Sequence, residues 1–257
     1  MLLKSLYAII LSILGMSLLC LSAYGHASPT TYNPQQNQIF QTIQSIPDKL
    51  TIVFSETPEL KASSIKVTDQ NNNRIDKNDL SLAEPEKKLS ISLDKSKVQA
   101  GTYTVNWIVL SKDDGHITKG SYVFSINNNN NSSNKQQQQQ QTNVSNQSLP
   151  TYSKRFINNN VNITLSISPY KIGNNTFNLT AIGLDGKPVG NISNVFLTFN
   201  NPDKGIGPIP NTMKQISTGN YSSNGNFISQ PGNWVIKVVI QRINAYDINQ
   251  SFDIKIQ

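Results

Sequence analysis

Apolar and polar residues alternate one by one along segment after segment of this chain, and that period restricts it to β-structure. Tyr103, Val105, Trp107 and Val109 occupy every second position after Gly101. Successive side chains of a strand point to opposite faces, so such a run buries one face and leaves the other to solvent. Leu50, Ile52 and Phe54 alternate with Thr51, Val53 and Ser55, and the same spacing recurs at Ile65 and Val67, at Leu89, Ile91 and Leu93, and at Tyr122, Phe124 and Ile126. Turn-rich separators such as Asn71-Asn72-Asn73 stand between these runs. The spacing predicts a Greek-key β-barrel or small sandwich over residues 26–126. The pattern resumes at Val161, Ile163, Leu165 and Ile167, continues through Phe177 and Leu179, Val195, Leu197 and Phe199, and closes with Trp234, Ile236, Val238 and Ile240, then Phe252, Ile254 and Ile256. Asp185-Gly186 and Asn224-Gly225 read as tight turns. A second sandwich of immunoglobulin-like architecture is therefore expected over residues 151–257, making the whole chain all-β, with Tyr103, Trp107 and Trp234 in the cores.

A segment of different composition separates the two. Asn127 to Asn131 is an asparagine run, Gln136 to Gln141 a glutamine run, and Ser, Asn and Thr fill the remainder to Pro150. It carries too little apolar surface to offset its ordering entropy, so residues 127–150 are expected to be a disordered linker. At the other end, Lys4 precedes an apolar run from Leu6 to Leu21, and Ala23-Tyr24-Gly25 supplies small residues before a cut. That layout predicts a signal peptide over residues 1–25 and export to a periplasmic, extracellular or cell-surface location. A cut after Gly25 makes His26 the first residue, whereas a cut after Ala27 removes it. The apolar run falls short of the roughly 20 residues of a full span. No later segment is long and apolar enough to cross a membrane, so no transmembrane segment is expected after signal cleavage.

The 257 residues leave room for two ordinary domains. The single cysteine, Cys20, lies in the signal, so the mature chain is expected to lack disulfides, zinc–thiolate sites and thiol nucleophiles. Beyond the signal Met213 is the one methionine, which excludes a thioether cluster for Cu(I). The net charge of +7 falls by one with Lys4 and is mixed with carboxylates, as in Glu84-Pro85-Glu86-Lys87-Lys88. Nucleic-acid binding needs a concentrated basic stripe, so no nucleic-acid partner is expected. Asn-x-Ser/Thr acceptors at Asn131, Asn143, Asn162, Asn178 and Asn191 permit glycosylation without requiring it.

Two histidines are present, His26 and His116. His116 ends the run Ser111-Lys112-Asp113-Asp114-Gly115-His116. In an extended segment, residues two apart point to one side, so Asp114 and His116 can converge on an ion, with Gly115 keeping the backbone uncrowded. His26 joins them if the first strand runs beside this loop. An α-amine has a reference pKa of about 8 and can lose its proton to a strongly bound metal near neutral pH. Nitrogen-rich tetragonal sites favour Cu(II), which heads the divalent affinity order, with Zn(II) or Ni(II) weaker occupants. Taken singly, His116 is an ordinary loop histidine and Asp113-Asp114-Gly115 an ordinary turn, with Asp113 solvated.

Several ordered motifs resemble the CopC copper-resistance family: His26-Ala27-Ser28-Pro29, Leu50-Thr51-Ile52-Val53-Phe54-Ser55-Glu56, Gly101-Thr102-Tyr103-Thr104-Val105-Asn106-Trp107, Asp114-Gly115-His116 and Gly120-Ser121-Tyr122-Val123-Phe124. The resemblance spans residues 26–126 and implies a secreted β-barrel copper carrier. It implies that His26 supplies amine and imidazole nitrogens, His116 a second imidazole and Asp114 an oxygen. Glu56 matches the acidic residue after the family's Phe-Ser, which brings it toward the site; alone it reads as a surface carboxylate. Some members carry a methionine-rich Cu(I) segment, and its absence here leaves Cu(II) alone. Pro231-Gly232-Asn233-Trp234-Val235-Ile236-Lys237-Val238 and Asp247 with the closing strand resemble the YtkA-like domain that accompanies CopC domains in some larger proteins. Larger relatives can carry a fused CopD-type membrane domain. Here such a transporter is expected to be a separate partner.

The expected function is a non-enzymatic carrier or buffer of Cu(II) in copper homeostasis or resistance, passing copper to a CopD-type membrane transporter or a secreted cuproenzyme. The alternative is an oxidative enzyme using a histidine brace, against which an equatorial Asp114 argues by occupying the position oxygen needs. A third reading is an adhesive pair of β-domains with incidental histidines. Ser-His-Asp hydrolysis would have to use one of the same two histidines.

Overall fold

The computed structural model describes residues 26–83, 86–127 and 151–257. The expected signal peptide, and the expected linker apart from Asn127, lie outside the described residues. The first sandwich contains β1 (Pro29–Asn33), β2 (Ile39–Phe40), β3 (Lys49–Phe54), β4 (Ser64–Thr68), β5 (Ser81–Ala83), β6 (Lys88–Ser92), β7 (Gly101–Leu110) and β8 (Ile117–Ile126). Its two four-stranded sheets run β1-β3-β6-β5 and β2-β8-β7-β4. The expected alternation holds on the central strands. Leu50, Ile52 and Phe54 of β3 face Tyr103, Val105, Trp107 and Val109 of β7 and Tyr122 and Phe124 of β8 in one buried cluster.

The second sandwich contains β9 (Tyr152–Asn158), β10 (Val161–Ser168), β11 (Gly173–Gly183), β12 (Ile192–Asn201), β13 (Ile206–Thr212), β14 (Lys214–Ser217), β15 (Asn220–Ile228), β16 (Gly232–Arg242) and β17 (Ile248–Ile256). Its sheets run β14-β15-β11-β10-β9 and β13-β12-β16-β17. Phe177, Phe199 and Phe227 meet across it with ring centroids 4.8 to 5.7 Å apart. Asp185-Gly186 forms the expected turn, with Gly186 at φ +79° and the Lys187 N–H donating to Asp185 Oδ1 at 3.1 Å. Asn224-Gly225 does not: both residues lie within β15, opposite Thr176 and Asn175. The Phe227 ring lies over Gly225, only 2.6 Å from where a Cβ would stand, so this glycine serves close packing inside a strand.

The two sandwiches touch through the outer face of β7 and β8. Val123 is 1% exposed and packs into the second core. The Thr104 hydroxyl donates to Ser229 Oγ at 2.6 Å, and the Gly207 N–H donates to Ser121 Oγ at 2.8 Å. Gln230, fully buried, donates from Nε2 to Thr68 Oγ1 at 3.2 Å and to the Asp69 carbonyl at 3.0 Å. Alternation places Thr104 and Ser121 on what reads as a solvent face. Their burial depends on a surface far away in sequence.

Candidate metal centre

The turn between β7 and β8 carries Asp114 and His116. Leu110 pairs with Ile117 at its base, and the Ser111 N–H donates to the His116 carbonyl at 2.9 Å. The segment is a turn and not the extended run expected from the sequence. The Gly115 N–H folds back onto the Ser111 carbonyl at 3.1 Å, and Gly115 adopts φ +73°. A Cβ there would meet nothing within 4 Å, so the glycine supplies the left-handed backbone and does not relieve crowding. Asp114 and His116 still converge, by another route. Asp114 Oδ1 accepts the His116 N–H at 2.9 Å, and Oδ2 lies 3.0 Å from His116 Nδ1. An aspartate closing on the backbone two residues on is ordinary turn chemistry.

Ser111 organises the loop from beneath. Its hydroxyl oxygen accepts the Asp113 N–H at 3.0 Å and the Asp114 N–H at 3.4 Å, and its proton goes to Glu56 Oε2 at 2.6 Å. Glu56 is thereby held just after β3, at the same end of the sandwich. Asp113 is exposed, as expected, and its Oδ2 accepts the Thr57 N–H at 3.3 Å.

His26 arrives just ahead of β1. Ala27 is fully buried in the first core, and its carbonyl takes the Thr118 hydroxyl proton at 2.6 Å. Ser55 clamps the same stretch: its Oγ accepts the Ser28 N–H at 2.9 Å and donates to the His26 carbonyl at 3.1 Å. The His26 ring then lies 4.5 Å from that of His116, centroid to centroid, at 61°. His26 Nδ1 is 3.3 Å from Asp114 Oδ2, and its backbone nitrogen is 3.3 Å from Glu56 Oε1. One donor atom from each of His26, Asp114 and His116 lies within 4.8 Å of the others. The histidine side chains are 52% and 62% exposed, and that of Asp114 24%. The arrangement can offer two imidazoles and a carboxylate to an ion reached from solvent. Ser111, Ser55, Thr118 and Ala27 do not stand out in the sequence as parts of a site. The one local signal is Ser111 two residues before Asp113, the spacing of a hydroxyl-closed turn.

The His116 backbone N–H holds the Asp114 carboxyl at about 2, below the usual carboxylate range, and bonds from the His116 ring and Ser111 act in the same direction against desolvation. A depressed carboxyl pKa means that the fold favours the ionised form. This contribution is present above the ordinary carboxylate pKa near 4 and is lost as pH falls through about 2. The Asp114 side-chain 13C shift is expected to titrate with a midpoint near 2, with the His116 amide proton moving in concert. A midpoint near the ordinary value of about 4 would mean that the Asp114–His116 closure is not made in solution.

Fold and site together define an all-β protein with an exposed nitrogen-and-oxygen donor cluster at one end of its first sandwich. Residues 30–127 match the CopC domain, and the chain belongs to the CopC family through that region. It is 36% identical to protein YobA of Escherichia coli (strain K12) over 116 residues, 45% of this chain and 90% of that protein. It is 34% identical to the copper transport protein CutJ of Bacillus subtilis (strain 168) over 93 residues, 35% of this chain but 17% of CutJ. Among solved structures, CopC from Methylosinus trichosporium OB3b matches at 24% identity and TM-score 0.34, covering 39% of this chain and 93% of that one.

Proposed function

We propose that this chain is an exported copper-binding protein that carries or buffers Cu(II) outside the cytoplasmic membrane. The convergence of His26, Asp114 and His116 within 4.8 Å carries the reading. Membership of the CopC family and similarity to a copper transport protein point to the same metal. Cleavage after Gly25 turns the His26 nitrogen beside Glu56 into an amine, adding a third nitrogen donor. Ala27 supports that position over a cut after residue 27: a chain beginning at Ser28 would vacate a fully buried place and orphan the Thr118 hydroxyl. Two imidazoles, an amine and a carboxylate suit a tetragonal Cu(II) ion. Asp114 Oδ2 sits close to both imidazoles and would be a further donor to an ion held there, which supports a carrier over an oxidative enzyme that needs a position left open for oxygen. The exposed rings suit handover to a membrane transporter of CopD type or a secreted cuproenzyme. The second sandwich is proposed as a YtkA-like module without a metal of its own.

Calorimetric titration of the chain processed to His26 is expected to take up one Cu(II) per chain, with nitrogen hyperfine structure in its electron paramagnetic resonance spectrum. His116→Ala should remove the stoichiometric step. Weak, non-stoichiometric uptake by the unsubstituted chain would overturn copper binding, and sustained reductant-driven turnover by the loaded protein would overturn the carrier role.

A further inference from the structure

The outer face of the β7–β8–β4 sheet divides into two parts. Residues paired directly across an antiparallel ladder share a face. The pairs Thr104–Val123 and Thr68–Thr104 therefore sit together, and this half is covered by the second sandwich. The half toward the metal centre is not. There Leu110 pairs with Ile117 and Ile108 with Lys119, and the next rung, Lys66–Asn106–Ser121, is the boundary, covered by the second sandwich at Ser121 and open at Lys66. Ile117 is 69% exposed and Ile108 44%, while Lys66 and Lys119 are exposed beside them. Isolated surface isoleucines are unremarkable, but these apolar residues are contiguous, and Ile117 directly follows His116. None of these paired positions holds a carboxylate. Two carboxylates border the strip: Glu59 at the rim has Lys112 3.9 Å away, and Asp114 is engaged by His116 in the adjoining cluster.

We infer that this strip, with Ile108, Leu110 and Ile117 at its centre and Lys66 and Lys119 at its flank, docks an acidic protein partner whose apolar contact is ringed by carboxylates and which exchanges the ion at His26, Asp114 and His116. Charge selects the occupant. A second copy of this chain, net positive with or without Lys4, would bring like charge to a basic strip. A lipid surface could neutralise the lysines but presents no imidazole or thiolate to receive copper. The strip adjoins the cluster, so a docked partner places its own ligands within reach of exposed imidazoles. Lysines at the flank steer the encounter, and the apolar centre holds it.

The exchange role rests on the copper reading, but docking is tested without copper. The probe is a short fluorescein-labelled peptide of alternating Glu and Leu, followed by anisotropy with the copper-free chain. Binding is expected to weaken about tenfold in Ile108→Asp, as loss of an aliphatic contact implies. It should weaken comparably in Lys119→Glu, or in about 0.3 M salt, where surface charges are screened. Both variants should keep the parent's circular dichroism spectrum and unfolding midpoint, which shows without copper that they are folded. The inference is overturned if the peptide does not bind, if both variants bind it like the parent, or if a Lys-Leu peptide binds equally. It is also overturned if phosphatidylglycerol vesicles capture the chain through Ile108 and Lys119, or if sedimentation shows a dimer that Ile108→Asp dissociates.

Discussion

Acetylation of the His26 amine in the chain processed to that residue is expected to weaken Cu(II) binding on the order of 1,000-fold, well beyond the roughly 10–100-fold cost of losing an outer-shell partner. The backbone nitrogen of His26 lies 3.3 Å from Glu56 Oε1, while its imidazole reaches Asp114 on the other side. Amine and imidazole of one residue close a chelate ring, so a fixed His26 presents two donors with little further loss of freedom. Acetylation converts the first donor into an amide, whose nitrogen gives up its proton far less readily, and leaves the imidazole, Asp114 and His116 untouched. Glu56→Gln separates the outer-shell contribution. It keeps one acceptor oxygen for either Ser111 or the amine, sets an NH2 against the other and removes the charge, and should cost about 10–100-fold. Competitive titration against a chelator of known affinity measures both. If acetylation costs no more than Glu56→Gln, the amine is not a ligand, and the site reduces to two imidazoles and a carboxylate.

Legibility in the sequence followed burial. Strands with one face in a core declare themselves: β3, β7, β10, β12 and β16 carry the period-two pattern over most of their length. Edge strands do not, because neither face need be apolar. β1 is Pro-Thr-Thr-Tyr-Asn and β14 is exposed throughout, while β13 carries two prolines that a central strand would not accept. His26 and His116 were legible because histidine is scarce in this chain, and Asp114 because it stands two residues before His116. The geometry of the three was less so. Extended alternation and a turn closed by an Asp114–His116 bond both bring residues 114 and 116 together, and no spacing rule distinguishes them. The supports stayed hidden for another reason. Ser55, Thr118 and Ser111 are common residues whose roles depend on which carbonyl or carboxylate a distant segment brings near. The same holds for Gln230, whose buried amide reads in sequence as part of a loop before Pro231-Gly232.

Trp234→Ala is expected to destabilise the second sandwich by about 3–5 kcal/mol, the range for removing a large aromatic side chain from a packed core. Trp234 is fully buried on β16, and its indole N–H donates to the Gln230 carbonyl at 2.9 Å. The side chain thus both fills the core and fixes the loop that reaches Thr68, Asp69 and Thr104 of the first sandwich. Trp234→Phe distinguishes these roles. It keeps much of the packing but leaves the buried carbonyl without its donor, which costs about 1–3 kcal/mol. Two cores imply that a single two-state transition need not describe the chain, so unfolding should be followed by a probe in each sandwich. In the Trp234 variants Trp107 is the one tryptophan left, so its fluorescence reports the first sandwich, and methyl resonances of each core allow comparison with the unsubstituted chain. In Trp234→Ala the second transition should move to lower denaturant, while the copper-binding stoichiometry of the first sandwich stays at its unsubstituted value. A loss below about 1 kcal/mol would contradict the burial of Trp234, because the site would then behave like an exposed position. Simultaneous loss of both transitions and of copper binding would show instead that the Gln230–Thr68 contact joins the sandwiches into one cooperative unit, with the metal centre dependent on a core that contributes none of its ligands.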